Sequence, residues 1–172
     1  ALLGTWRMLS WKKEFVATGN AVDALGPDPQ GFITYTADGR VSVIVVPRDR
    51  PAPASLPPSD AEKVRLFDSL FAYAGTYTLG DDKVVHHLDT TWNQSWTGTE
   101  QVRFYKLSGN RLSIHGAPAP DPFTGQDVIH RVEFEKDDGW AVWVNDEDRL
   151  DEATRLLAEF QSNPKDPKYL SQ

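Results

Sequence analysis

Three side chains in the central part of the sequence have the chemistry to bind and protonate a small organic molecule. His86, Arg103 and Tyr105 lie in segments of alternating residue types, which are typical of β-strands. A guanidinium can hold an enolate or a carboxylate, an imidazole titrates near neutral pH, and a phenol can donate to a developing oxyanion. We therefore predict that these residues are the catalytic groups of one site. The competing interpretation is that they pair with one another in a closed interior.

The pairing of these segments predicts which side chains share a face. A hairpin loop over residues 93–98 would place His86 opposite Tyr105, and a turn at residues 81–82 would place His86 opposite Tyr77. Side chains alternate between the two faces of a strand. The face of His86 then carries the predicted ligand-binding residues Tyr77, Leu88, Trp92 and Gln101, together with Arg103 and Tyr105. The other face carries His87, Asp89, Glu100 and Lys106, which we expect in solvent.

Two further residues are predicted to contact the ligand from other strands. Tyr35 lies in a hairpin over residues 31–46, and a two-residue turn at Asp38 and Gly39 would place it opposite Ser42. His130 lies on an apolar strand face within residues 128–135. A buried histidine that is merely paired is the competing interpretation for His130.

The sequence argues against a metal or a cofactor. His86 and His87 point to opposite faces of one strand, and only the fold could bring His115 and His130 to either of them. There is no cysteine and no glycine-rich phosphate-binding loop. We predict no metal and no cofactor.

Composition excludes several classes of partner. The chain has 172 residues, 40% of them hydrophobic, and carries a net charge of −7 from 18 basic and 25 acidic residues. Scattered basic residues in an acidic chain argue against nucleic acid as a partner, and no apolar run is long enough to predict membrane insertion. No signal peptide is visible, so we expect a cytoplasmic protein, with a trimmed leader and an oligomer both left open.

The elements that must position these residues are short strands separated by turns. They are predicted at residues 31–46 (a hairpin), 75–79, 84–92, 100–107, 111–115, 128–135 and 140–144. One helix is expected within about Ser59 to Tyr73, with Ser59 and Glu62 as a capping box, and another within about Asp148 to Gln161. Because strand edges aggregate unless they are closed, this many consecutive strands favour an antiparallel barrel. We predict one domain over residues 1–172, with the barrel at about 3–145 and a helical extension at about 146–172 packed outside it.

A series of short motifs resembles the lipocalin-like domain family of bacteria and fungi. The motifs are Gly4-Thr5-Trp6-Arg7, residues 25–31, Tyr35 to Arg40, Ala72 to Tyr77, His86-His87, Trp96 to Arg103 and Gly109 to Leu112. The resemblance implies an all-β lipocalin-like (calycin) barrel that holds a small hydrophobic ligand. By analogy with lipocalins, it also implies that Trp6 packs on Arg131 or Lys136 and closes one end.

Three functional hypotheses follow from the resemblance and the predicted site. In natural-product gene clusters, similar barrels act as cyclases or isomerases, so the leading hypothesis is a cofactor-independent, pericyclase-like enzyme. The alternative is a carrier that binds a small lipophilic ligand without changing it. The third hypothesis is a structural domain that docks a partner through Leu156, Leu157 and Phe160 and has a filled barrel. The fold alone does not choose among them.

Overall fold

The chain folds into a series of antiparallel strands with two α-helices. A computed structural model describes residues 2–121, 124–137 and 150–163, so the predicted strand 140–144 lies outside the described residues. The strands are β1 (Gly4–Phe15), β2 (Ala21–Asp23), β3 (Pro29–Tyr35), β4 (Arg40–Pro47), β5 (Phe71–Leu79), β6 (Lys83–Thr91), β7 (Glu100–Ser108), β8 (Arg111–His115), β9 (Ala119–Pro120) and β10 (Asp127–Lys136). The helices are α1 (Asp60–Asp68), α2 (Leu150–Ser162) and a short 3-10 helix at Gln94–Trp96.

Eight of the strands close into a barrel. The order of neighbours is β1-β3-β4-β5-β6-β7-β8-β10, and β10 pairs back with β1, while the short β2 and β9 extend the sheet at β1 and β10. All pairs are antiparallel. Tight turns at residues 36–39, 80–82 and 109–110 therefore lie at one end, which we call the closed end. Longer loops lie at the other, which we call the open end. The predicted all-β antiparallel barrel is confirmed.

A cation over an aromatic ring seals the closed end. Trp6 is 2% exposed and donates its indole N–H to the Leu2 carbonyl at 2.8 Å. Lys136 Nζ lies 4.4 Å from the centre of the indole and also donates to the Leu3 carbonyl. The expected contact of Trp6 with a basic residue of the last barrel strand is thus confirmed for Lys136. Arg131 instead pairs with Glu14 at 2.6 Å.

The pairing of β3 with β4 differs by one residue from the predicted pairing. Tyr35 lies opposite Val41 and not opposite Ser42. The loop has three residues, because the Thr36 N–H donates to the Arg40 carbonyl at 2.9 Å and Gly39 adopts a left-handed φ of 83°. Tyr35 still points inward.

The pairing of β6 with β7 differs by four residues from the predicted pairing. His86 lies opposite Gln101 and not opposite Tyr105. The two strands stay paired up to Leu88, whose N–H donates to the Thr99 carbonyl at 2.9 Å. Beyond Leu88 the connection is longer than predicted and contains the 3-10 helix. A shift by an even number of residues leaves every side chain on its predicted face. The predicted pairing of Tyr77 with His86 is confirmed.

Helix α1 begins as predicted and ends earlier. Ser59 and Glu62 form the predicted capping box, in which the Glu62 carboxylate accepts the Ser59 N–H at 2.8 Å. The helix ends at Asp68, and Phe71 and Tyr73 belong to β5, where they pair with β4. The sheet hydrogen bonds of β5 override the helical spacing of these side chains.

Helix α2 belongs to a second compact unit, residues 138–172, which is separate from the barrel unit. It spans Leu150–Ser162, so the predicted C-terminal helix is confirmed, and its packing outside the barrel stays a prediction. Neither helix in the described parts of the chain is long and apolar enough to span a bilayer.

We predict that Gly75→Ala destabilises the barrel by about 2 kcal/mol. A bulge between Ala74 and Gly75 brings β6 so close that a Cβ on Gly75 would overlap the His87 carbonyl oxygen. Gly116→Ala is the matched control, because its Cβ would meet its nearest neighbour, Arg103 Nη1, at an ordinary 3.8 Å. Urea unfolding measures the free energy of unfolding of both variants and of the wild-type protein. Equal free energies of unfolding would contradict the argument.

Candidate functional site

The barrel contains an interior cavity of about 420 Å³ that extends to the open end. This volume is in the range of small-molecule sites, about 300–1,000 Å³. The lining side chains and segments are Met8, Trp11, Ile33, Val43, Phe71, Tyr73, His86, Trp96, Gln101 to Arg103, Ile114 to Pro120, His130, Val132 and Phe134. The wall is therefore largely apolar with a few polar groups.

A histidine held between two tyrosines forms the polar part of the deep wall. His86 is 0% exposed, and its Nε2 lies 2.9 Å from the Tyr35 hydroxyl while its Nδ1 lies 2.8 Å from the Tyr73 hydroxyl. The three side chains come from β3, β6 and β5, whose inward positions meet at this height. We call this arrangement the tyrosine–histidine chain.

The direction of the hydrogen bonds in this chain follows from burial. Tyr35 is 1% exposed, and among the described residues its hydroxyl has only His86 as a partner, so its proton must go to Nε2. A neutral imidazole has one donor and one acceptor nitrogen, so Nδ1–H then donates to Tyr73. Among the described residues, Tyr73 is left with a hydroxyl proton that has no acceptor. Since Tyr73 lines the cavity, this donor is available to a ligand.

Burial keeps all three members of the chain neutral. Desolvation lowers the pKa of His86 to about 3, and the charge of Arg103 adds to this effect. Desolvation raises the pKa of Tyr73 to about 12, although the charge and hydrogen bond of Arg103 act in the opposite direction. It also raises the pKa of Tyr35 well above the usual value for a phenol. His86 is therefore neutral at physiological pH, and no protonated imidazole is ready to act as an acid.

Arg103 and Gln101 lie beside this chain on β7. Arg103 Nη2 donates to Gln101 Oε1 at 2.9 Å and Nη1 donates to the Val102 carbonyl at 3.0 Å. Both Gln101 and Arg103 line the cavity, as predicted from the shared face. The amide of Gln101 fixes the guanidinium near Tyr73.

His130 lines the cavity nearer the open end. Its Nδ1 accepts the indole N–H of Trp11 at 3.0 Å, which places the ring proton on Nε2. Desolvation lowers the pKa of His130, the charges of Arg103 and Lys13 add to this effect, and Asp121 opposes it. His130 is thus a paired histidine that also contacts the cavity.

Tyr77 and Tyr105 do not line the cavity, so the prediction that they share it with His86 and Arg103 is wrong for these two residues. The Tyr105 hydroxyl donates to the Gly80 carbonyl at 3.1 Å, and the Tyr77 hydroxyl donates to the Thr36 carbonyl at 3.2 Å. Both acceptors belong to turns at the closed end. These tyrosines pack against the barrel core and satisfy main-chain groups.

The other predicted contact residues lie behind the cavity wall. Leu88 is buried in the core. Tyr35 reaches the cavity only through His86. The ring centre of Trp92 lies 5.1 Å from that of Phe71 and 5.0 Å from that of Trp96, and both of these rings line the cavity at the open end. Leu88, Tyr35 and Trp92 therefore support the wall and are not part of it.

The predicted outer face of the barrel is confirmed. His87 bonds Glu100 at 3.0 Å, Asp89 pairs with Arg40 at 2.5 Å, and Lys106 is exposed. Within the described residues, no group of three histidine or carboxylate side chains could hold a metal ion.

The sequence reasoning missed Tyr73, whose hydroxyl proton has no acceptor among the residues that the structure describes. Its place in the helical pattern of residues 59–73 obscured a second pattern, in which Phe71, Tyr73, Gly75 and Tyr77 alternate with smaller residues at strand spacing. That alternation would have placed Tyr73 on the same face as Tyr77. Trp11, Phe71, Trp96 and His115 also line the cavity without having been predicted to do so.

Known proteins provide one strong similarity and one weak one. A sequence model of the lipocalin-like domain family matches residues 3–136, which include every barrel strand. Among solved structures, the chain is similar to an uncharacterized protein from Bacteroides eggerthii DSM 20697, with 13% identity and a TM-score of 0.35. This similarity covers 76% of the chain and 98% of that protein. No curated protein matches the sequence.

We predict that His86→Gln reduces the pH dependence of stability between pH 7 and 5. Because the pKa of His86 falls from 6.5 to about 3 on folding, the unfolded chain binds more protons in this range, and the free energy of unfolding falls as the pH falls. The contribution of His86 to the slope of the free energy of unfolding against pH approaches about 1.4 kcal/mol per pH unit well below pH 6.5. Urea unfolding at several pH values measures it. His130, whose pKa is also lowered, leaves a residual slope in the variant.

The control for this experiment is Val85→Thr, which changes an outward-facing residue of the same strand and removes no titratable group. It should keep the wild-type slope. The same slope in wild type and His86→Gln would mean that His86 is not held neutral by its burial.

Proposed function

This chain belongs to the lipocalin-like domain family, and from that premise we propose that its barrel is a cofactor-independent isomerase or cyclase that encloses a small hydrophobic molecule. The observation that carries the proposal is the tyrosine–histidine chain, which leaves the Tyr73 hydroxyl as a donor in a largely apolar cavity. An apolar wall supplies affinity, and a fixed donor sets the orientation of the ligand. The natural-product setting of the reaction rests on the family resemblance alone.

The chemistry available to Tyr73 is polarisation of a substrate oxygen. As bonds rearrange in a conjugated substrate, electron density moves onto a carbonyl oxygen, and a preorganised O–H donor stabilises it there. The product has the same atoms as the substrate, so an isomerisation or a cyclisation needs no co-reactant. Tyr73 keeps its proton near neutral pH because its pKa is raised to about 12.

The proposed roles of the predicted catalytic residues change accordingly. His86 orients Tyr73 as a positioning residue and does not itself transfer a proton, because both of its nitrogens are engaged. Tyr105 is a structural residue of the closed end. Arg103 keeps a place beside the reacting oxygen, with Gln101 holding its guanidinium.

A carrier that binds the same kind of molecule unchanged is the second candidate. It is favoured by the neutrality of the tyrosine–histidine chain, because neither Tyr73 nor His86 titrates near pH 7. The third hypothesis, a structural domain with a filled barrel, fits poorly with a cavity of about 420 Å³.

We predict that Tyr73→Phe lowers turnover by about 100-fold or more while ligand affinity changes less, because one preorganised donor acts mainly on the transition state. The protein is incubated with lipophilic extracts of its source, and the retained compounds are compared by mass spectrometry with those added. An isomer that forms only with intact protein would establish catalysis. The rate at which this isomer forms then gives the turnover of each variant.

The matched control is Tyr105→Phe, which removes a hydroxyl that bonds Gly80 outside the cavity and should keep turnover. Recovery of unchanged ligand from every extract would favour the carrier. Full turnover in Tyr73→Phe would remove Tyr73 from the mechanism and leave catalysis to cavity shape.

A further inference from the structure

We propose that the ligand of this cavity is a hydrophobic acid, bound as a monoanion by Arg103. This inference rests on the proposed binding of a small molecule in the barrel, and it does not require that the molecule is transformed. It restricts the chemical class of the ligand from any lipophilic compound to a lipophilic compound with a single acidic group.

The first observation is that Arg103 has no acidic partner among the described residues. Its guanidinium hydrogen-bonds neutral oxygens, those of Gln101, Val102 and the Tyr73 hydroxyl. Arginines on the outer face have carboxylates instead, as in Arg40 with Asp89 and Arg131 with Glu14. The charge of Arg103 is thus not balanced within the described part of the chain.

The second observation is that no acidic side chain balances this charge in the described part of the cavity wall. Within the described residues, no aspartate, glutamate or lysine lines the cavity. His86 and His130 are neutral near pH 7, because burial lowers the pKa of both. Lys13 and Asp121 act on His130 with opposite signs and pair with each other at 2.8 Å. Arg103 therefore brings a positive charge to the described cavity wall with no carboxylate beside it, and a ligand with one negative charge would neutralise that charge.

The third observation is the arrangement of donors around one point. The Tyr73 hydroxyl proton has no acceptor among the described residues, and the guanidinium has more N–H groups than its neutral partners use. Arg103 also lies close enough to influence the pKa of Tyr73 through a hydrogen bond. A carboxylate or an enolate could accept from both side chains at once. Hydrogen bonds to an ionised acceptor are roughly twice as strong as neutral ones.

The size and polarity of the cavity restrict the rest of the ligand. Much of the remaining wall is apolar and includes Met8, Ile33, Val43, Val132 and Phe134. A body of rings or alkyl chain fits such a wall, whereas a second charge would be buried without a partner. The ligand class is therefore a hydrophobic monoacid and not a dianion or a sugar.

Two fluorescent probes that differ in one charged group test this inference. Anilinonaphthalene sulfonate is anionic, and phenylnaphthylamine has the same ring system without the sulfonate. We expect wild-type protein to bind the anion at least about tenfold more tightly than the neutral probe, the ratio that one charge-assisted hydrogen bond supplies. Arg103→Gln should abolish this preference and change the affinity for the neutral probe by less than about threefold.

Two further variants test whether a lost preference in Arg103→Gln comes from the guanidinium at this position. Arg103→Lys keeps the charge and loses the planar fork, so it should retain part of the preference. Arg40→Gln removes an arginine of the outer face and should leave the affinities for both probes unchanged. Circular dichroism confirms that each variant is folded.

A competition experiment on wild-type protein does not depend on any variant. Dodecanoate should displace bound phenylnaphthylamine at lower concentration than methyl dodecanoate does. Equal displacement by acid and ester, or an unchanged anion preference in Arg103→Gln, would overturn the inference while leaving small-molecule binding intact. Failure of wild-type protein to bind either probe would overturn both the inference and the proposed function.

Discussion

The interior of this barrel depends on the burial of His86 between two tyrosine hydroxyls. An imidazole with no exposure to water must have both nitrogens paired, because an unpaired buried polar group costs about 1–3 kcal/mol. Its partners Tyr35 and Tyr73 come from strands that are not adjacent to one another in the chain. The pairing of β3, β4, β5 and β6 must therefore bring three inward positions to one height.

The same constraint shapes the chemistry of the cavity. Because Tyr35 must give its proton to His86, the chain of hydrogen bonds runs in one direction and ends at Tyr73. Burial keeps the imidazole neutral, so the histidine adds direction and no charge. Arg103 on the neighbouring β7 brings a positive charge to the same wall. A neutral donor and a cation thus face the same space.

The two ends of the barrel differ in role: contacts at the closed end stabilise the fold, and the open end leads into the cavity. At the closed end, the indole of Trp6 lies under the ammonium of Lys136, and Tyr77 and Tyr105 satisfy carbonyls of the turns. At the open end, Trp92 packs against the lining rings, and the segment Gly116 to Pro120 completes the wall. A ligand that enters from the open end would meet aromatic rings before it reaches the tyrosine–histidine chain.

The sequence by itself determined the barrel, its strands and the face on which most side chains lie. Alternation with a period of two fixes the face of a residue, so His86, Gln101 and Arg103 were placed in the interior correctly even though the pairing of β6 with β7 differed by four residues. Local hydrogen bonds likewise made the start of α1 predictable.

Only the tertiary structure decided which inward residues meet. Loop geometry set the register, and sheet pairing drew Tyr73 out of a helical pattern and into contact with His86. The height along the barrel separated Tyr105 from the cavity. Periodicity specifies the side of a strand, but the distance between residues of different strands depends on loops and bulges whose conformations are settled by packing.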